Sequence, residues 1–254
     1  MQARRLPARQ GLVWFIAGFR LFRSNPPLLT ALTFGYLLIV LFMLVLPFGI
    51  GGLLLPIVQP MLTLLLANGC RAIAAKGLGT TWADLPVGID EHRAVLLRLG
   101  GLQMAGSLIV LLLSLALGLS PDQGKPGIAL PNLMALFVLS APLLLAFWFA
   151  PLLTGWEDVP PLKSAFFSLV ATLRNWRVFL VYALVLTASL LIPLLLALAG
   201  QLVSPSIGKF LASVVELILL ILVMPIITAG VYISYHDIFF CPPGDQPAPQ
   251  PDNG

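Results

Sequence analysis

Runs of apolar residues without any charged side chain divide this chain into six long segments. The first run covers residues 24–70, in which 47 consecutive positions hold no Asp, Glu, Lys or Arg. A helix needs roughly 20 residues to cross the hydrocarbon of a bilayer, so this run predicts two spans joined by a turn. We place the turn at LPFGIGGLLLP, where Pro and Gly recur at short intervals. The other four predicted spans lie within residues 99–121, 126–156, 178–208 and 217–235.

Two further segments have an amphipathic pattern. In PPLKSAFFSLVATLRNW, before span five, a helical period separates an apolar face from a polar face. The apolar face holds Leu162, Phe166, Leu169 and Leu173, and the polar face holds Ser164, Ser168, Thr172 and Asn175. GLVWFIAGFRLFRSN, before span one, is more apolar and carries its basic residues on one side. We interpret both as helices at the membrane interface, with interfacial basic residues at Arg20, Arg23, Arg174 and Arg177.

The predicted fold is therefore an all-α integral membrane protein, with six transmembrane helices as three hairpins and interfacial amphipathic helices before spans one and five. Residues 1–9 are expected to form a cytoplasmic N-terminal tail, residues 10–240 a single six-span membrane domain, and residues 241–254 a disordered Pro-rich cytoplasmic tail. An alternative is that the two amphipathic segments extend the spanning helices into the cytoplasm. The pattern leaves open whether residues 11–23 lie on the membrane or enter it.

A proline followed three residues later by a threonine recurs in the even-numbered spans. Proline inside a helix removes one backbone hydrogen bond and bends the helix, and a threonine one turn later can bond back to the backbone. We interpret these pairs as kinks that let three hairpins pack around a common centre, with coincidence in a Pro-rich membrane protein as the alternative. A fourth copy, Pro27 and Thr30, lies at a helix start, where proline is favourable anyway. The predicted kink residues are Pro60, Thr63, Pro151, Thr154, Pro225 and Thr228.

The composition indicates that the chain lies in lipid, and the distribution of charged residues indicates its orientation in the membrane. The chain has 254 residues, 59% hydrophobic and 9% charged, and its mean hydropathy is +1.01. Soluble domains hold roughly 25% charged residues, so the main partner is the lipid bilayer. The net charge of +4 does not indicate nucleic-acid binding, because the basic residues follow the membrane topology. On the predicted cytoplasmic side we count Arg4, Arg5, Arg9, Arg20, Arg23, Arg71, Lys76, Arg93, Arg98, Lys163, Arg174 and Arg177, and on the other side only Lys125 and Lys209.

This distribution predicts that both termini are cytoplasmic. It also predicts contact with anionic lipid at the cytoplasmic face. Four tryptophans are expected to form an aromatic belt at the same interface, namely Trp14, Trp82, Trp156 and Trp176. A protein partner or a second copy of the chain is neither indicated nor excluded.

Motifs for chemistry are sparse. We find no phosphate-binding loop, no HExxH and no GxSxG, and we expect no catalytic residue, no cofactor and no metal. His92 is interpreted as part of a solvated loop, and His236 with Asp237 as a polar cap at the end of span six. Cys70 is interpreted as a reduced structural thiol.

Glu216 is the candidate intramembrane functional residue. It follows Lys209 by two helical turns and precedes a charge-free stretch of span six. Ionisable groups inside a span are costly and usually face protein or a wet cavity, so one interpretation is a site that responds to protons or cations. The alternative is a carboxylate near the outer interface that reaches water or Lys209.

Three stretches of this chain resemble a known family. GLVWFIAGFRLFRSNP, the LPFGIGG turn and FWFAPLLTGWEDVPPLKSAFFSLVATLRNW are similar to six-helix inner-membrane proteins of Gram-negative bacteria, a family to which no function is attached. The resemblance extends to about Tyr235 and implies an all-helical fold in the bacterial inner membrane. It implies no catalytic or ligand-binding residues.

Two hypotheses for function follow. The first is a non-catalytic membrane bundle that acts through lipid or protein partners in membrane or envelope organisation, a hypothesis that assumes few polar groups inside the membrane. The second is a small transporter or channel that uses the kinked even-numbered helices and Glu216.

Overall fold

The computed structural model describes residues 4–47, 50–119 and 130–240, and these residues form helices and connections without a strand. The predicted tail at residues 241–254 lies outside the described residues. The helices are α1 (Gln10–Ser24), α2 (Pro26–Val45), α3 (Ile50–Lys76), α4 (Ile89–Ala116), α5 (Leu130–Phe147), α6 (Ala150–Glu157), α7 (Pro161–Arg174), α8 (Trp176–Val203), α9 (Pro205–Ile218) and α10 (Met224–Phe239).

Six segments of these helices are long and apolar enough to cross a membrane, which confirms the predicted number of spans. Span one is α2, span two is α3, span three is α4 and span five is α8. Span four consists of α5 and α6, and span six consists of α9 and α10 joined by a π-helical turn at Leu219–Val223. The all-α membrane fold follows from the long apolar runs, because only helices satisfy every backbone group of such a run within lipid.

The first turn is shorter than the sequence predicted. α2 ends at Val45 and α3 begins at Ile50, so the second half of LPFGIGGLLLP is already helical. A Cβ atom on Gly51 would lie 1.4 Å from the carbonyl oxygen of Met43. The glycine therefore allows α3 to start against the end of α2.

Spans four and six are irregular just before their prolines. Between α5 and α6 the helix is interrupted at Trp148 and Phe149, and Pro151 lies in the first turn of α6. Pro225 lies in the first turn of α10, directly after the π turn. A proline cannot donate the hydrogen bond of the preceding turn, which accounts for an irregularity at this position. α3, in contrast, continues through Pro60 without interruption.

The packing of the spans does not single out three hairpins. α2 packs on α3 and α8 packs closely on α9, but α4 packs more extensively against α3 than against α5. The buried apolar clusters lie mainly where α1, α2, α3, α6, α8 and α10 meet. The predicted arrangement of similar hairpins around an axis stays a prediction.

α1 and α7 are separate helices, so the alternative in which they extend the spans is wrong. Asn25, with φ −155° and ψ 75°, ends α1 and caps α2 by accepting from the backbone N–H of Leu28. Asn175, with φ −109° and ψ 20°, separates α7 from α8. The similar Asn positions before spans one and five therefore both separate two helices, although only Asn25 caps the helix that follows. We call the end of the bundle that carries α1 and α7 the basic end.

Candidate functional site

The carboxylate of Asp237, in the last span, forms hydrogen bonds to two side chains of α1. Oδ2 of Asp237 accepts hydrogen bonds from Nε2 of Gln10 and from Nε1 of Trp14, both at 2.8 Å. Trp14 is fully buried, and a buried indole N–H needs an acceptor. Asp237, predicted as part of a polar cap, thus holds an additional helix against the bundle.

The described part of the N-terminal tail is bound to the bundle as well. The side chain of Asn175 accepts from the backbone N–H of Leu6 at 2.9 Å and donates to the carbonyl of Arg4 at 2.8 Å. The backbone N–H of Arg4 also donates to the carbonyl of Ile238 at 3.0 Å. Residues 4–6 therefore pack across the start of α8.

The predicted tryptophan belt is wrong for Trp14, which belongs to the protein core. Trp156 is half-buried and donates its indole N–H to Oδ1 of Asn68 at 2.9 Å. Trp82 and Trp176 are exposed, as the belt requires. The sequence did not distinguish these cases, because the burial of a tryptophan depends on which helices pack against it.

The polar face of α7 points into the protein, which reverses the orientation expected of an amphipathic helix with its polar face in water. Its members Ser164, Ser168, Thr172 and Asn175 are all buried. The apolar side chains of Leu162, Phe166 and Leu173 are 71%, 61% and 53% exposed. An exposed apolar face of this kind marks a surface that contacts a membrane or another protein.

The buried hydroxyl of Ser168 forms hydrogen bonds to two backbone groups at the break in span four. Its Oγ accepts from the backbone N–H of Phe149 at 2.9 Å and donates to the carbonyl of Leu145 at 2.8 Å. Both backbone groups would otherwise lack partners in the membrane interior. The polar face of α7 thus satisfies the irregular backbone of the neighbouring span.

The three predicted kink threonines have different surroundings. Thr228 donates back to the carbonyl of Met224 at 3.1 Å, as predicted. Thr154 instead donates to Oγ of Ser164 on α7, at 2.8 Å. Thr63 and Thr228 line a common cavity, and Thr154 does not. Whether the prolines bend their helices stays a prediction.

The fourth copy of the motif has an unexpected contact. Thr30 of α2 donates to the carbonyl oxygen of Ile221 at 3.5 Å. This carbonyl lies four residues before Pro225 and cannot receive a hydrogen bond from that proline. A neighbouring helix therefore supplies a donor to a backbone group that Pro225 leaves free.

Glu216 lies on an exposed face of α9. Its carboxylate has no hydrogen bond or ion pair within the described ranges, and the residue does not line the cavity described below. The expectation that this side chain packs against protein is therefore not met. Its proposed role in function stays a prediction.

The four interfacial basic residues are all exposed. The guanidinium of Arg23 lies 6.0 Å from the ring centre of Phe19, and that of Arg177 lies 5.5 Å from Trp176. Where the structure describes the chain, Arg20, Arg23, Arg174 and Arg177 form no salt bridge. Their charges are therefore available to an anionic partner outside the chain.

Connections at the basic end are held by polar pairs. Lys76 pairs with Asp84, and this ammonium, together with the backbone N–H of Thr81, lowers the pKa of the Asp84 carboxyl to about 2. His92 bonds to the carbonyl of Gly88 and to Asp158, both at 2.7 Å. His92 also lies in the first turn of α4, so its interpretation as part of a loop is wrong.

A cavity of about 410 Å³ lies between α2, α3, α4, α5 and α10, at mid-depth of the spans. Thr63, on its wall, is the central residue of α3. Most of its lining is apolar, and the polar side chains that border it are Thr33, Tyr36, Gln59, Thr63, Gln103, Ser107, Trp148 and Thr228.

Polar groups inside the membrane are thus more numerous than the first hypothesis assumed. Nε2 of Gln103 donates to Oε1 of Gln59 at 2.8 Å, which joins span three to span two. Nε1 of Trp148 is buried and has no hydrogen-bond partner in the described part of the chain. Sequence reasoning missed these residues, although two glutamines within charge-free spans were a visible signal.

No group of three or more His, Cys, Asp or Glu side chains that could hold a metal occurs among residues 4–47, 50–119 and 130–240. Cys70 is fully buried. It therefore packs as an apolar side chain of the core.

Comparison with known proteins gives one informative relative. The chain is 36% identical over 208 residues to a protein of Burkholderia thailandensis described as a probable inner membrane protein, and the alignment covers 72% of this chain and 74% of that one. No family model matches the chain, and no solved structure matches it.

Proposed function

This chain belongs to the family of bacterial inner-membrane proteins that includes its Burkholderia relative, and on that premise we propose that it is a non-catalytic bundle that acts in membrane organisation by binding lipids of the cytoplasmic leaflet. The observation that supports this function is the orientation of α7. The polar side chains of α7 are buried and form hydrogen bonds inside the protein, and its apolar side chains are exposed on the outer surface.

An outward apolar face with basic residues matches one leaflet of a membrane. Leu162, Phe166 and Leu173 contact acyl chains, while Lys163, Arg174 and Arg177 extend toward lipid phosphates, because long basic side chains reach the interface from an apolar helix. α1 repeats this design with exposed Leu12, Val13, Ile16 and Phe19 beside Arg20 and Arg23. The two helices then form a lipid-binding surface at the basic end.

The alternative function was a small transporter or channel that uses the kinked even-numbered helices and Glu216, and its use of Glu216 gains no support from this geometry. Glu216 is exposed on α9 and lies outside the cavity in the bundle.

Orientation is part of this proposal, because the basic end must face the cytoplasm. Alkaline phosphatase fused after Ser204 should be active in the periplasm, whereas fluorescent protein fused after Gly79 or Val159 should fluoresce in the cytoplasm. The physical reason is the excess of Lys and Arg in the short connections at that end. Phosphatase activity after Val159 would place the basic end in the periplasm and overturn the proposal.

The lipid contact is tested by removing charge from α7 and its junction. The triple variant Lys163→Gln, Arg174→Gln, Arg177→Gln should retain fewer phosphatidylglycerol molecules in native mass spectrometry, because each exposed basic residue contributes about 1 kcal/mol of attraction to an anionic leaflet. Retention of phosphatidylcholine should not change. The matched control is Lys209→Gln, at the other end of the bundle, which should behave as the unmodified protein does. Equal phosphatidylglycerol retention in the triple variant and the control would contradict the proposal.

A further inference from the structure

From the cavity at mid-depth of the bundle we infer a second lipid site, which takes the uncharged, acceptor-bearing group of an acylated glycerol from the surrounding bilayer. This site is independent of the basic surface of α1 and α7. It lies on other helices and uses hydrogen bonds in place of charge.

Unused hydrogen-bond donors define the chemistry of the cavity. The indole N–H of Trp148 is buried without an acceptor in the described residues. Gln59 uses its oxygen to accept from Gln103, which leaves its amide hydrogens for another partner. A donor in the membrane interior has no water to bond, so an acceptor brought by a ligand is strongly favoured.

Hydroxyl groups complete the donor set. Tyr36, Thr63 and Ser107 border the same cavity, and their hydroxyls have no hydrogen bond within the described ranges. These groups come from α2, α3 and α4, whereas Trp148 follows α5. The residues that carry these donors thus border the cavity on four sides, as a pocket for a compact oxygen-bearing group requires.

The lack of charged side chains in the described lining of this cavity disfavours a phosphate group as its ligand. The described lining contains no Lys, Arg, His, Asp or Glu. An ionic group placed there would be removed from water without a compensating partner, at high cost. The polar group that fits is therefore an ester carbonyl or a neutral hydroxyl, and the nearest source of both is a lipid.

Access from the bilayer follows from the packing of α5. This helix packs against α4 and α7 but not closely against α2 or α10, the other two walls of the cavity. Leu144 of α5, at the border of the cavity, is 52% exposed. An acyl chain can thus run from the cavity between α5 and α2 into the surrounding lipid.

The volume of the cavity is large enough to enclose part of a lipid molecule, but not all of it. A volume of about 410 Å³ holds on the order of a dozen groups the size of a water molecule. This is enough for a glycerol ester and the first part of one chain. The remaining chain carbons must lie outside, in the bilayer.

A comparison of dioleoylglycerol with dioleoylphosphatidylglycerol tests whether the glycerol ester in the cavity belongs to a neutral lipid or to an anionic one. Both carry the same acyl esters, but only the second carries a charged phosphate. The full-length protein in phosphatidylcholine nanodiscs should bind dioleoylglycerol in native mass spectrometry above the level of the background lipid. It should bind dioleoylphosphatidylglycerol in a way that depends on Lys163, Arg174 and Arg177 and not on the cavity. Dioleoylglycerol retention no higher than that of phosphatidylcholine would overturn the inference.

The variant Trp148→Phe removes the unpaired donor and keeps a ring that can pack against Phe179, whose ring centre lies 5.8 Å from that of Trp148. Dioleoylglycerol affinity should fall about 3- to 10-fold, the usual range for one hydrogen bond. Trp176→Phe, at an exposed position outside the cavity, is the matched control and should leave the affinity unchanged. Equal affinities in these two variants would refute the role of Trp148.

A second variant covers the case in which Trp148→Phe does not fold. Thr63→Val replaces a lining hydroxyl with a methyl group of similar size, and it should also lower dioleoylglycerol affinity because one hydrogen-bond donor is lost. The charge-reduced α7 variant should keep normal dioleoylglycerol binding. Loss of both lipids in that variant would show that there is one site only and would contradict the inference, whereas loss of phosphatidylglycerol alone supports two sites.

Discussion

Replacement of Gly100 with alanine should lower the free energy of unfolding by about 1–3 kcal/mol, the usual cost of forcing extra atoms into a packed interface. A Cβ atom at this position would lie 2.2 Å from the carbonyl oxygen of Ile57 and 2.7 Å from its Cα. Both are backbone atoms, so the clash cannot be relieved by a change of rotamer. α4 would have to move away from α3, against which it packs most extensively.

The adjacent residue provides the control for this prediction. A Cβ atom on Gly101 meets nothing within 4 Å, so Gly101→Ala adds only the better helix propensity of alanine and should be neutral or stabilising by up to about 1 kcal/mol. Equilibrium unfolding in mixed micelles, followed by tryptophan fluorescence, measures both variants. A Gly100→Ala protein as stable as Gly101→Ala would show that α3 and α4 do not approach each other as closely as described.

Replacement of Ser168 with alanine is expected to destabilise the protein by about 1–3 kcal/mol, because it leaves two buried backbone groups without partners. The hydroxyl accepts from the N–H of Phe149, which lies in the break of span four, and donates to the carbonyl of Leu145 in the last turn of α5. No water is available at a fully buried site in the membrane to replace it. The same unfolding measurement reports the loss.

Ser189→Ala is the control for this second prediction. Ser189 is also a helical serine whose hydroxyl donates to a carbonyl, that of Leu186 at 2.7 Å, but its hydrogen bond is exposed and stays within one helix. Its removal should change stability by less than about 0.5 kcal/mol. If the two serine variants lose equal stability, the break in span four does not depend on Ser168.

Several features of the fold could be predicted from the sequence because they depend on local pattern. The six spans follow from apolar runs that exceed the thickness of the bilayer. The separate helices α1 and α7 follow from amphipathic periodicity and from the Asn residues that end them. Helix irregularities before Pro151 and Pro225 follow from the missing proline N–H, which is a property of the residue itself.

The candidate sites could be predicted only in part. Arg20, Arg23, Arg174 and Arg177 are exposed, as basic residues near a membrane surface are expected to be. Glu216 attracted attention by its charge, yet it lies on the outer face of α9, and the groups that border the cavity are uncharged. A single acidic residue is easy to recognise in a sequence, whereas donors on α2, α3 and α4 and on Trp148 become a site only when the helices are packed together.

By itself, the sequence determined that the chain lies in a lipid bilayer, how many spans it has, which end is basic, and where helices begin and break. Each of these features depends on residues that are neighbours along the chain. Only the tertiary structure decided which face of each helix is turned inward. The serines of α7 face the protein because they serve the broken backbone of span four, and Trp14 is buried because Asp237 accepts its N–H. Such choices depend on which unsatisfied groups lie on a neighbouring helix, and in a bilayer an apolar face costs nothing when it is turned outward. Periodicity can therefore divide a membrane helix into two faces, but it cannot tell which of them is inside.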